Sequence, residues 1–316
     1  MEKTPVLIYT DDGRDVDDVE AIAYLAGCPN IDIIGIVTTH MIPDRRAFIA
    51  RAVMDNLRMP KIPIGIGSIF PIGKDDELLI KYLKEHSIDN KTYEGQGLIE
   101  CFTDGIELIN KSIQKYGKSL KIAVFAPLTD LAKAASSNMD NFCKVGSLYI
   151  QGQATVNGNR LVPDNSAYNI KEDEKASEII FGLQDRISLV LIGKHAAYQV
   201  PFTRDDFSAF ANTGNPVGTY LQTHAEKGLE CFAKRAPDIF QRVFGIPSTK
   251  FNILENISNP YDALVAKMIA NPSGLSSEDI KHHKLVGMTK ETHGVTDVKI
   301  VKADLVDTIL SALKRM

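Results

Sequence analysis

An alternation constrains this chain more than any other feature. Over the first 200 residues, short β-branched runs alternate with stretches of helical period. The apolar runs at 6–9, 31–39, 62–66, 120–125, 147–151 and 187–193 are too short for helices and read as strands. Between them, residues 17–27 carry Val19, Ile22, Ala23 and Ala26 at helical spacing. Residues 45–57, 97–117, 128–135 and 172–182 read as further helices. Apolar strands separated by helices predict an α/β fold: an open, mostly parallel sheet with helices on both faces. From about residue 200 the chain becomes more helical, and this part is expected to cover the sheet's functional edge. It contains a helix starting near Pro260, a late strand at 298–301 and a C-terminal helix at 304–313. Without linker-like, repetitive or low-complexity stretches, one domain over 1–316 is the simplest organisation.

Charge and composition exclude several classes of partner. The net charge of −4 leaves no basic footprint for nucleic acid. No apolar run approaches the roughly 18 residues of a membrane span. Met1-Glu2-Lys3-Thr4-Pro5 lacks the basic-then-apolar pattern of an export signal, so a cytoplasmic location is expected. Cys28, Cys101, Cys143 and Cys231 form no CxxC pair and read as reduced thiols. His224, His282, His283 and His293 have no metal-type spacing and are expected at the surface.

Ligands of open parallel sheets bind beyond the carboxyl ends of the strands, so residues just after each strand are the candidates. After the first strand comes Thr10-Asp11-Asp12-Gly13-Arg14-Asp15-Val16-Asp17-Asp18, with five aspartates in eight residues. Helix capping accounts for one or two of them. The others repel one another unless a cation or hydrogen-bond donors neutralise them. All-oxygen donors point to a hard cation, Ca²⁺ or Mg²⁺, over zinc. The loop has neither the spacing of an EF-hand nor its closing Glu. With Gly13 two residues after Asp11, it also lacks the second Asp of an aspartyl-phosphatase loop. A metal-dependent phosphatase is therefore disfavoured.

Asp11-x-Gly13-x-Asp15-x-Asp17-Asp18 before an apolar helix resembles the opening motif of the calcium-dependent, inosine-uridine-preferring nucleoside hydrolases. Other landmarks follow in order: 125–132, Gly158-Asn159, Ala167-Tyr168-Asn169 and 261–266. The resemblance implies a Ca²⁺ site made by Asp11, Asp18, Asp262 and the Phe125 carbonyl, with Asp11 also taking a proton from calcium-bound water. It implies ribose contacts from Asp17, Asn159 and Asn169, and a homodimer or homotetramer. The family often has Asn at His40, His at Tyr93, Glu at Ala167 and His at Tyr261. The cation half of the motif set is thus kept, while the substrate half differs. His40 is expected to line the ribose end, and Tyr93 and Tyr261 to contact the leaving base. The expected function is Ca²⁺-dependent hydrolysis of a ribonucleoside to ribose and a free base, with a non-standard base or sugar end. The alternative is a non-catalytic riboside-binding protein using the same cleft.

Overall fold

The computed structural model describes residues 2–13, 15–73, 102–292 and 294–315. Tyr93, Cys101, His293 and the first residues of the expected 97–117 helix lie outside these. The strands are β1 (Thr4–Thr10), β2 (Ile31–Thr38), β3 (Ile64–Ile66), β4 (Phe102–Asp104), β5 (Lys121–Val124) and β6 (Ser147–Gln151). They continue with β7 (Ala154–Asn157), β8 (Arg160–Pro163), β9 (Ser188–Ile192), β10 (Phe202–Thr203), β11 (Asn256–Ser258), β12 (Glu278–Ile280) and β13 (His283–Val286). Among the described residues nine of them form one sheet, ordered β12-β13-β9-β6-β5-β1-β2-β3-β4. Every neighbouring pair in it is parallel except β12 and β13.

The chain runs from β1 through β2 and β3 to β4 at one edge, then returns to β5 beside β1. From there it proceeds through β6 and β9 towards the other edge. The strand order therefore reverses between β1 and β5. A crevice opens at the carboxyl ends of strands at such a point, the usual ligand position in open α/β sheets.

Burial follows the alternation of β1. Val6 and Ile8 join the apolar layer on one face, and Leu7 and Tyr9 the layer on the other. Behind the crevice the Tyr9 hydroxyl donates to Pro127 O at 2.9 Å. Asp130 Oδ2 accepts from Thr39 Oγ1 at 2.5 Å and from Ser68 N at 3.1 Å. This buried network ties the chain just after β2, β3 and β5 to β1. On the other face, helix α1 (Asp17–Gly27) is buried along its whole length. It packs against helices Tyr261–Ala270 and Val298–Leu313. Fully buried Lys267 pairs with Asp304 at 2.8 Å, and the Tyr24 hydroxyl donates to the same carboxylate at 2.6 Å. One carboxylate thereby joins all three helices.

Several sequence expectations are corrected. Residues 298–301 begin a helix, Val298–Leu313, where a strand was expected. The Asp297 side chain caps it by accepting from Ile300 N at 3.0 Å. Val301, Leu305, Ile309 and Ala312 then bury a helical stripe that overrides the β-branched local preference. Residues 102–104, expected to be helical, pair with β3 as β4. The helix begins at Gly105, where the Asp104 carboxylate accepts from Glu107 N at 2.8 Å. Residues 172–182 are interrupted at Asp173, whose carboxylate accepts from Ala176 N, Thr129 Oγ1 and Ile72 N.

His283 is also not at the surface. It is 1% exposed, and its Nδ1 accepts from Leu189 N at 3.1 Å. Burial, then the charges of His282 and Lys281, push its imidazolium down to about 4 from 6.5. A histidine held neutral in the fold binds fewer protons folded than unfolded. Its contribution is full above pH 6.5 and is lost as pH falls towards 4. The difference in thermal midpoint between wild type and His283→Asn, which keeps an acceptor, should therefore shift against wild type as pH falls from 6.5 to 4; a pH-independent difference would contradict this.

Candidate active site

The loop after β1 is shaped by Gly13 at φ +105°, a left-handed conformation that glycine adopts without strain. The turn brings Asp11 and Asp15 round to the start of α1, which opens on Asp17 and Asp18. The β1 loop, the end of β5 at Phe125, the start of helix Tyr168–Glu172 and the start of helix Tyr261–Ala270 reach the same crevice. With Gln151, Lys194, Tyr198 and Phe232 they line a cavity of about 540 Å³.

One end of this cavity is oxygen-rich, lined by Asp11, Asp15, Asp17, Asp18, Asp262 and Phe125. Carboxylate oxygens of Asp15, Asp17 and Asp18 lie within 4.8 Å of one another, close enough to share a divalent cation. Asp17, Asp18 and Asp262 are 7%, 4% and 3% exposed. Burial first, then mutual repulsion, pushes all three carboxyls well above the usual carboxylate range. For Asp262 the repelling charges are Asp18, Asp15 and Asp11. The Thr10 hydroxyl donates to Asp18 and opposes the shift there.

Asp262 Oδ1 is buried with no hydrogen-bond partner. Such an orphaned oxygen is costly unless something not made of protein completes it. Behind the cavity wall, both carboxylate oxygens of Asp12 are equally unpartnered, and burial pushes this carboxyl up to about 7. Arg46 Nη1 donates to Asp12 O at 2.7 Å and stands 3.9 Å from Asp11 Oδ2. The donor set of carboxylates and one carbonyl fits a hard divalent cation.

The opposite walls differ. Asn169 is buried, and its Nδ2 donates to Phe125 O and to Gln151 Oε1, each at 3.0 Å. The amide is thus fixed in orientation beside the carbonyl expected to bind the cation. Tyr198 and Tyr261 meet edge to face with centroids 6.0 Å apart, and Phe232 also lines the cavity. Burial, then Tyr198, pushes the Tyr261 hydroxyl far above its ordinary 10, so it stays protonated.

Asp11, Asp17, Asp18, Phe125, Asn169, Tyr261 and Asp262 are therefore brought together in one cavity. Two other expected contacts are not. Asn159 is exposed on the turn between β7 and β8, outside the cavity lining. That short hairpin is tied instead to the residues just past helix Glu174–Gly182, where Leu161 N donates to Gln184 Oε1 at 2.7 Å and Arg160 pairs with Asp185 at 2.5 Å. His40 is buried behind Tyr168, with its Nε2 3.4 Å from the Tyr168 hydroxyl, and Tyr168 forms the wall in its place. Tyr198, Lys194 and Phe232 also line the cavity, and sequence reasoning does not reach them. Their only signal along the chain is position: Lys194 and Tyr198 follow β9 directly, and Phe232 sits in the late helical region.

A parallel sheet with an acidic, aromatic-walled cleft at its switch point is the arrangement of an α/β protein that binds its ligand there. The chain belongs to the inosine-uridine preferring nucleoside hydrolase family, which matches residues 6–308. Its expected nucleoside-hydrolase architecture is the observed one. A pyrimidine-specific ribonucleoside hydrolase, RihA, of Klebsiella pneumoniae is 22% identical over 69% of this chain and 68% of its own. A probable uridine nucleosidase 2 of Arabidopsis thaliana is 24% identical over 70% and 68%. Among solved structures, the type III effector XopQ complexed with adenosine diphosphate ribose superposes with a TM-score of 0.81 at 20% identity, over 99% of this chain and 95% of that one. The purine-preferring ribonucleoside hydrolase of Gardnerella vaginalis gives 0.72 at 19% identity, over 99% and 100%. Among the described residues no helix is long and apolar enough to cross a membrane.

The raised carboxyls fix the sign of a pH effect. A carboxyl whose folded value is raised binds more protons folded than unfolded, so metal-free stability falls as pH rises. For Asp12 the window runs from 3.8 to about 7. A divalent cation replaces those protons, so its stabilisation should grow with pH. At 100 to 1,000 times its dissociation constant it should add about 3–4 kcal/mol, several degrees in thermal midpoint. The shift measured at pH 8 should exceed that at pH 5 and shrink in Asp262→Asn; equal shifts at both would contradict this.

Proposed function

We propose that this chain hydrolyses the N-glycosidic bond of a ribonucleoside with Ca²⁺ as its resident cation, releasing ribose and a free base. One observation carries the reading: the side chains that would hold a cation, a ribose and a leaving base line one cavity. Asp11, Asp18, Asp262 and the Phe125 carbonyl would hold the ion, and Asp15 stands close enough to Asp18 to adjust its charge. The bound cation would supply Lewis-acid polarisation of the attacking water and of the ribose hydroxyls.

The chain's own groups do the rest. Asp11 accepts the proton of the attacking water. The Asp17 carboxylate and the Asn169 amide hold the ribose hydroxyls, fixing C1′ against that water. The water oxygen bonds to C1′, and the electron pair of the C1′–N bond leaves with the base through an oxocarbenium-like sugar. Tyr261 keeps its proton and steadies the departing base by donating a hydrogen bond, while solvent supplies the proton the base finally takes. The Tyr198–Tyr261 side gives a flat base an aromatic surface to pack on. Tyrosine at 261 suits a base that departs without full protonation, which favours modified or otherwise good leaving groups.

Base release from purine, pyrimidine, nicotinamide and 7-deazapurine ribosides, measured with calcium and with a chelator, tests this. Release should stop with the chelator, and Asp11→Ala should lower kcat by about 10²–10⁴-fold. Tyr261→Phe should cost about 10-fold or more, the scale of one transition-state hydrogen bond. No release from any riboside, or full release in the presence of chelator, would overturn the reading.

A further inference from the structure

We propose that the cavity takes a riboside phosphorylated at its 5′ carbon, with Lys194 as the phosphate-binding residue. This deepens the riboside reading above and rests on it. Lys194 is the sole cationic side chain among the described residues lining a cavity that also holds five aspartates. It opens the short helix Lys194–Ala197 directly after β9. Its backbone N–H donates to Gln153 Oε1 at 3.1 Å, and Gln153 Nε2 in turn donates to Met288 O at 2.8 Å. The root of the side chain is therefore held by the loops after β6 and β13.

The direction of the ammonium is informative. A lysine recruited to neutralise the acidic end would pair with one of its carboxylates. Among the described residues Lys194 forms no such pair; its Nζ lies 3.5 Å from both Ser166 O and Ser166 Oγ. Those contacts are long for an ammonium, which carries three donors. Lys194 and the Ser166 hydroxyl thus present a cationic, donor-rich corner of the cavity.

Position along the chain says which part of a riboside reaches that corner. Segment 166–169 lines the cavity from Ser166, beside the ammonium, to Asn169, whose amide is tied to the Phe125 carbonyl. Three residues span at most roughly 10 Å, the scale of a single sugar phosphate. A ribose whose hydroxyls meet Asp17 and Asn169, with its base on the Tyr198–Tyr261 side, has one branch left, C5′. The lining left for that branch is Gln151, Ser166, Ala167, Tyr168 and Lys194, and of these Lys194 alone is cationic. An uncharged 5′-hydroxyl would leave the ammonium without a counter-charge, whereas a phosphate monoester accepts charge-assisted hydrogen bonds from it. The bonds exchanged at C1′ are those given above, and the phosphate ester is untouched. The products are ribose 5-phosphate and the free base.

The test is calorimetric titration of the calcium-loaded full chain with ribose and with ribose 5-phosphate. Wild type should bind ribose 5-phosphate about 10- to 100-fold more tightly, the scale of a charged hydrogen bond. That ratio should fall towards unity in Lys194→Ala, survive in part in Lys194→Arg, and shrink at high salt. Comparing the two sugars on one variant separates loss of the phosphate contact from loss of folding. Equal affinities in wild type, or an intact ratio in Lys194→Ala, would overturn the phosphate contact while leaving the riboside reading standing. Failure of ribose 5-phosphate to bind wild type would overturn the phosphate contact, and together with no base release from any riboside it would overturn both.

Discussion

The structure depends on a set of carboxyl groups that electrostatics alone would scatter. Asp17, Asp18 and Asp262 are nearly excluded from solvent, and each is raised by burial and by the charge of its neighbours. Taking unpaired charges out of water costs several kcal/mol per ion even after relaxation. Protons can meet that cost at low pH, and a divalent cation can meet it at neutral pH. The same carboxylates then leave a charged, oriented surface against which sugar hydroxyls can be fixed. Stability and chemistry are in this sense one problem here, which a bound divalent cation would solve.

The fold makes the cluster possible by rigidity around it. β1 is the strand where the sheet order reverses, so the loop that follows it lies in the crevice facing the end of β5. Asp262 arrives from far along the chain because helix Tyr261–Ala270 packs against α1. The Lys267–Asp304–Tyr24 contacts lock that packing on the side away from the cavity. On the other side the Tyr9–Asp130–Thr39 network holds the strand ends in register. Neither network lines the cavity. Both limit how far the carboxylates can relax apart when unneutralised.

The parallel sheet was legible because its strands are buried on both faces and read as continuous apolar runs. The acidic end of the cavity was legible because five aspartates in eight residues repel one another until something neutralises them. Elements at the margins were not. Residues 298–301 look like a strand in isolation and become helical because Asp297 caps them and a stripe from Val301 to Ala312 buries. His283 looked solvated because nothing in its neighbourhood reveals that β13 pairs with β9 and buries it. The aromatic and cationic walls were the least visible part. Tyr198, Lys194 and Phe232 carry no motif, and long-range packing alone brings them to the cleft. His40 and Asn159 show the converse, since their place in a resemblance suggested contact but packing set one behind Tyr168 and the other on an exposed turn.

The central claim is that a divalent cation replaces protons on buried carboxyls at the end of β1. Calorimetric titration of the metal-free protein with Ca²⁺ at pH 6.5, repeated in buffers of different ionisation enthalpy, measures this directly. The account predicts one ion bound per chain with net release of protons, and loss of both in Asp18→Asn. Binding without proton release, or no binding at millimolar calcium, would contradict it.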